Sequence, residues 1–158
     1  MSLANAYDLA HRPAEAISTY EEALRLAPDN SLVCNNFAYT LVEADQQLER
    51  ALELVLKATE RRPDDEAYVD TLGWIYYKLG RYEEAVEQLQ RAAGMPMQYG
   101  ETYFHLGMAL QKVGRAADAL AAFERAIQVD PEMDEAQEAQ RMIEELKAAL
   151  PAQPTPAS

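Results

Sequence analysis

A chain of 158 residues that sets 27 Asp and Glu against 14 Lys and Arg carries a formal net charge of -13. Nucleic-acid binding depends on Lys and Arg neutralising phosphates, and anionic membranes repel the same surface, so both partner classes are disfavoured. A single cysteine, Cys34, excludes an internal disulfide, and two histidines, His11 and His105, are too few for a typical His/Cys metal site.

Taken in chain order, apolar residues recur at helical spacing and are interrupted by Gly and Pro at regular intervals. Helices are predicted near 3–11 and 14–26, with the slots Leu3, Ala4 and Tyr7, then Ala16, Tyr20, Ala23 and the stop Pro28. The next pair, 31–43 and 48–61, fills the same slots with Cys34, Phe37, Ala38 and Leu41, then Ala51, Val55, Ala58 and Pro63. Helices near 66–79 and 82–94 repeat them as Val69, Leu72, Gly73 and Tyr76, then Ala85, Leu89 and Ala92. Those near 99–113 and 116–129 do so as Tyr103, Leu106, Gly107 and Leu110, then Ala119, Phe123, Ala126 and Pro131. Gly80 and Gly114 follow a first helix, where a left-handed residue is commonly needed. A ninth helix, near 133–149, lacks the motif. Its stripe of Ala136, Ala139, Ile143, Leu146 and Leu150 opposite Glu135, Glu138, Glu144, Glu145 and Lys147 suits a terminal cap. No apolar run approaches the ~20 residues of a membrane span, so no membrane insertion is expected of this segment.

Gly73 and Gly107, Gly80 and Gly114, and Ala85 and Ala119 are each 34 residues apart, and Pro28 and Pro63 are 35 apart. This period and its motif resemble the tetratricopeptide repeat, a helix-turn-helix unit, over roughly residues 3–131. The resemblance implies an all-α fold, a right-handed superhelical solenoid of antiparallel helix pairs with a C-terminal capping helix. The expected units are 1–30, 31–65, 66–99 and 100–133, a cap at 134–150 and a disordered tail at 151–158. The first unit lacks about the first turn of its helix, which points to a piece of a longer array. Its N-terminus has no secretory signal pattern, and if it is a piece, that leaves the compartment open.

Enzyme signatures are absent: no phosphate-binding glycine loop, no His-Glu-x-x-His and no Gly-x-Ser-x-Gly. Neither catalysis, a metal nor a cofactor is expected. Cys34 shares its slot with Val69 and Tyr103, a packing position, and reads as a buried structural thiol. Once Leu72, Gly73 and Tyr76 face the partner helix, Asp70, Trp74, Tyr77 and Lys78 must face elsewhere. Their counterparts are Asn5, Asp8 and Leu9 in the first unit, Asn35, Tyr39, Val42 and Glu43 in the second, and Phe104, Met108, Gln111 and Lys112 in the fourth. The family resemblance implies that these first-helix positions line a groove for a peptide or partner helix. The candidate binding set is Asn5, Asn35, Asn36, Tyr39, Asp70, Trp74, Tyr77, Lys78, Phe104, His105, Met108 and Lys112, with Trp74, Tyr39, Tyr77 and Phe104 as aromatic anchors.

Chaperone-binding members of the family grip C-terminal carboxylates with Lys, Asn and Arg. Here Asn5 and Asn36 match the amides, but Met1, Ala67 and Thr71 stand in the cationic places, so that clamp is not expected to work. The reading is a non-enzymatic scaffold, in the style of bacterial multi-repeat proteins, that binds a protein or peptide with apolar anchors and basic residues. The alternatives are a self-assembling module, forming a homo-oligomer, or the substrate-recruiting segment of a larger enzyme or envelope assembly. Most of the acid is expected on second helices, turns and the cap, leaving the inner stripe only mildly charged.

Overall fold

The computed structural model describes residues 2–149, and all regular structure in that span is helical. The helices are α1 (Leu3–Leu9), α2 (Pro13–Leu26), α3 (Ser31–Glu43), α4 (Leu48–Arg61), α5 (Glu66–Lys78), α6 (Tyr82–Ala93), α7 (Gly100–Lys112), α8 (Ala116–Val129) and α9 (Ala136–Ala149). They pair as hairpins α1/α2, α3/α4, α5/α6 and α7/α8, with α9 packed on α8, the arrangement of an all-helical repeat solenoid. Expectations for Met1, Leu150 and the tail 151–158 lie outside the described residues.

The chain divides into two compact units, one running to Met95 and the other beginning at Pro96. The division falls within the connection 94–99 between α6 and α7, where the proline-acid turn of the other repeats is replaced by Gly-Met-Pro-Met-Gln-Tyr.

In the first unit the hairpins close on small residues. A Cβ on Gly73 would stand 2.6 Å from Leu89 Cγ, so the absence of a side chain is what lets α5 and α6 approach. Cys34, Ala58 and Tyr68 form a buried cluster with Leu24 and Leu54 against it, so α2, α3, α4 and α5 share one core. Burial pushes the Cys34 thiol up, which suppresses the reactive thiolate and fits a packing role. In the second unit a Cβ on Gly107 would stand 2.7 Å from the Phe123 ring, and α9 covers α8 with Ala139, Ile143 and Leu146. The ninth helix begins at Ala136 rather than near 133, because the Asp130 side chain accepts from the Glu132 amide and holds a turn first.

Gly80 and Gly114 adopt the left-handed φ of 76° expected of them. In the first repeat the same slot is His11, with φ 51°, and α1 consequently stops at Leu9. An L-residue pays a steric cost there that glycine avoids. His11→Gly is expected to stabilise the first unit by ~0.5 kcal/mol after glycine's extra entropy is subtracted, read as a raised midpoint in denaturant unfolding.

Two further patterns repeat. At the start of second helices, Arg12 pairs with Glu15, Arg81 with Glu84 and Arg115 with Asp118, each three residues apart. Farther along, Lys57, Arg91 and Arg125 share one slot and reach back to the preceding turn. Lys57 Nζ donates to the Pro28 carbonyl at 2.6 Å, Arg91 donates to the Pro63 carbonyl, and Arg125 Nη2 donates to the Gln98 side-chain oxygen at 2.6 Å.

Candidate binding faces

On α1 and α3 the polar residues are tied to one another. The Tyr20 hydroxyl lies 2.8 Å from Asp8 Oδ2 and 2.9 Å from Asn5 Oδ1, and the Thr40 hydroxyl donates to Asp8 Oδ1 at 3.0 Å. Asn36 Nδ2 reaches Asn5 Oδ1 at 3.5 Å, and Asn35, itself buried, reaches Asn36 Oδ1 at 3.5 Å. Burial first, and then the Asp8 carboxylate, push the Tyr20 phenol well above its ordinary range, so it stays protonated and keeps donating. Asn5 and Asn36, matched in sequence to a carboxylate clamp, thus join α1, α2 and α3. Of the cationic places in that clamp, 67 holds an exposed alanine and 71 a buried threonine bonded to the Ala67 carbonyl at 2.8 Å.

The second cluster spans α3 and α5. The Trp74 indole N–H donates to Glu43 Oε1 at 2.8 Å. Tyr77 stacks on the Trp74 ring, with centroids 4.7 Å apart and planes at 7°, and Tyr82 meets Tyr77 at 5.6 Å and 58°. The Lys78 ammonium lies over the Trp74 ring, 5.4 Å from its centroid, within cation–π range. Tyr39 is half-buried on the same side of α3 and Asp70 is 7% exposed on α5. Glu43 is exposed, while Tyr77 and Lys78 are half-buried.

Trp74 itself is 8% exposed, so the expectation of a ring standing clear of the packing does not hold. Its neighbours one turn on, Tyr77 and Lys78, lie against it, and Glu43 takes its polar edge. Of the acidic stripe residues, Asp8 bonds Tyr20 and Thr40, Glu43 bonds Trp74, and Asp70 is buried.

In the second unit, Phe104 is 4% exposed and its ring meets Phe123 at 5.7 Å, tilted by 56°. It is therefore a packing residue of the α7/α8 hairpin and not an open anchor. The reason is its spacing: Phe104 precedes Gly107 by three residues, so both lie on the face that receives Phe123. His105 is 3% exposed, with Nε2 4.0 Å from Glu101 Oε1. Met108 is half-buried and Lys112 exposed on α7. Among the described residues no group of three His, Cys, Asp or Glu is placed to hold a metal ion, and no helix is long and apolar enough to cross a membrane.

Tyr20, Thr40 and Tyr82 were not among the binding candidates from sequence, and Asp8 and Glu43 entered only as stripe members. A signal for them exists. The bonds Asn5–Asn36, Asp8–Thr40 and Glu43–Trp74 span 31, 32 and 31 residues. Polar pairs about three short of the repeat length therefore mark contacts between successive first helices.

Comparison with known proteins agrees with this architecture. Residues 9–72 match the family described as tetratricopeptide repeat. Residues 55–143 match that of the T7SS, ESX-1 secretion system protein EccA1, N-terminal domain. A TPR repeat-containing protein from Pseudomonas aeruginosa, PA4667, is 40% identical over 65 residues, which cover 41% of this chain and 11% of that protein. The chain spans less than half the length of the curated relatives it resembles first. Among solved structures, TTC0263, a thermophilic TPR protein of Thermus thermophilus, superposes with a TM-score of 0.80 at 20% identity, covering 93% of this chain and 79% of that one. YrrB, described as a TPR protein with an unusual peptide-binding site, superposes with a TM-score of 0.68 at 25% identity, covering 82% and 65%. With four copies of the motif, glycine-seamed hairpins and these matches, the chain belongs to the tetratricopeptide-repeat family and, through residues 55–143, to that of the EccA1 N-terminal domain.

Proposed function

We propose that the chain is a non-enzymatic protein-binding scaffold whose first helices take up an extended segment or a helix of a partner protein. The observation that carries this is the set Glu43, Trp74, Tyr77 and Lys78 on α3 and α5, which lies outside the Gly73–Leu89 seam closing the α5/α6 hairpin. Aromatic rings combined with exposed charge are the composition of an interface hot spot, because they bury large area at small entropic cost. Asn5, Asn35, Asn36 and Tyr39 extend that face along α1 and α3 of the first unit, and Met108 and Lys112 on α7 offer a separate contact face of the second unit. The likeness to YrrB supports peptide binding, and the acidic residues on these helices favour a partner segment with basic side chains.

Peptides selected by display on the wild-type chain provide the test. Tyr77→Ala removes a half-buried ring with modest effect on folding, and should weaken the selected peptides by roughly 30-fold in calorimetric titration. Unchanged affinity would remove the α5 face from the binding site.

A further inference from the structure

We propose that Glu43, Trp74 and Tyr77 form a subsite for a cationic side chain of the bound segment, arginine above all, and that Lys78 occupies it in the free chain. This rests on the binding-face reading above and names what one part of that face selects.

The Trp74 indole fixes Glu43 through Oε1 at 2.8 Å while Glu43 stays exposed. A carboxylate has about four lone-pair sites on its two oxygens, and the indole uses one of them. The group is thus a positioned anion beside an aromatic stack, with room to accept from an incoming donor. A cation already sits at the ring: Lys78 Nζ is 5.4 Å from the Trp74 centroid, so the place has the electrostatics a cation wants.

Lys78 holds that place by a flexible stem from the same helix, one turn beyond Trp74. No Lys78–Glu43 ion pair is among the salt bridges of the described residues, so the resident ammonium uses the ring without claiming the carboxylate. A guanidinium is planar and presents a fork of donors, so it can lie on an aromatic face and bond a carboxylate at once, which a compact ammonium does less well. Arginine from a partner is therefore the better occupant, and a chain of net charge -13 draws basic segments toward it.

Trp74 is the only tryptophan, so its emission reports the subsite directly. The full chain is titrated with an acetylated, amidated peptide of alternating leucine and arginine, and with its citrulline counterpart, which keeps the shape and loses the charge. The arginine peptide should shift the emission and bind roughly tenfold more tightly than the citrulline peptide. Glu43→Gln, which retains an oxygen for the indole N–H, should abolish that preference. Lys78→Met should raise arginine-peptide affinity about fivefold, whereas Lys147→Met, an equal charge change on α9, should stay within about twofold of wild type.

Equal affinity for the two peptides overturns the subsite and leaves the wider binding face standing. So does a Lys78→Met chain no better than wild type, or a Lys147→Met chain improved to the same degree. Should Glu43→Gln fail to fold, the two lysine variants decide alone. If neither peptide binds any variant, the subsite and the binding-face reading fall together.

Discussion

Gly107→Leu should unfold the second unit at a temperature lower by on the order of 10 °C, corresponding to a loss of about 3 kcal/mol. The Cβ alone would stand 2.7 Å from two carbons of the Phe123 ring, closer than real contacts allow, and the isobutyl group would extend farther into the same space. Phe123 is fully buried and cannot turn aside, because the Phe104 ring lies 5.7 Å from it. The helices must separate, and with them the cover that α9 gives α8. Thermal unfolding followed by circular dichroism decides the matter; a variant melting with the wild type would mean that α7 and α8 do not pack in this register.

Trp74→Ala should cost about 3 kcal/mol in the first unit, in addition to at least ~2 kcal/mol of partner binding. A ring only 8% exposed cannot be cut to a methyl without leaving a void beneath Tyr77 and Lys78 and removing the indole donor that positions Glu43. Sequence alone treats this tryptophan as surplus to the core, which would predict normal stability. Trp74→Phe separates the two effects: it keeps most of the volume and the stacking while removing the indole N–H, so its melting temperature should stay close to wild type. An alanine variant with undiminished stability would show that the ring does not pack as described.

Glycine, alanine and proline made the architecture readable. They act where two backbones cross or where a helix must stop, as at Gly73, Gly107, Gly80 and Pro63, and these constraints are local to one residue and recur with the repeat. The candidate binding faces were less readable because their contacts join different helices. Whether Trp74 is open depends on Glu43, thirty-one residues earlier, and whether Phe104 is open depends on Phe123 across the hairpin. Helical periodicity fixes which side of α5 or α7 a residue occupies but not the lateral offset of the neighbouring helix. The same limit hid the network of Asp8, Tyr20 and Thr40: Tyr20 reads as a packing slot and Asp8 as a stripe member, and that they bond to one another shows only when α1, α2 and α3 are set side by side.

The cations of the second helices carry an evolutionary consequence. Lys57 and Arg91 bond to the main-chain oxygens of Pro28 and Pro63, which persist whatever residue replaces the proline, so each link can be lost by substitution at one position only. Arg125 bonds instead to the side chain of Gln98, and that link presents twice the genetic target. Positions 98 and 125 should therefore covary across homologous chains, while 28 with 57 and 63 with 91 should not.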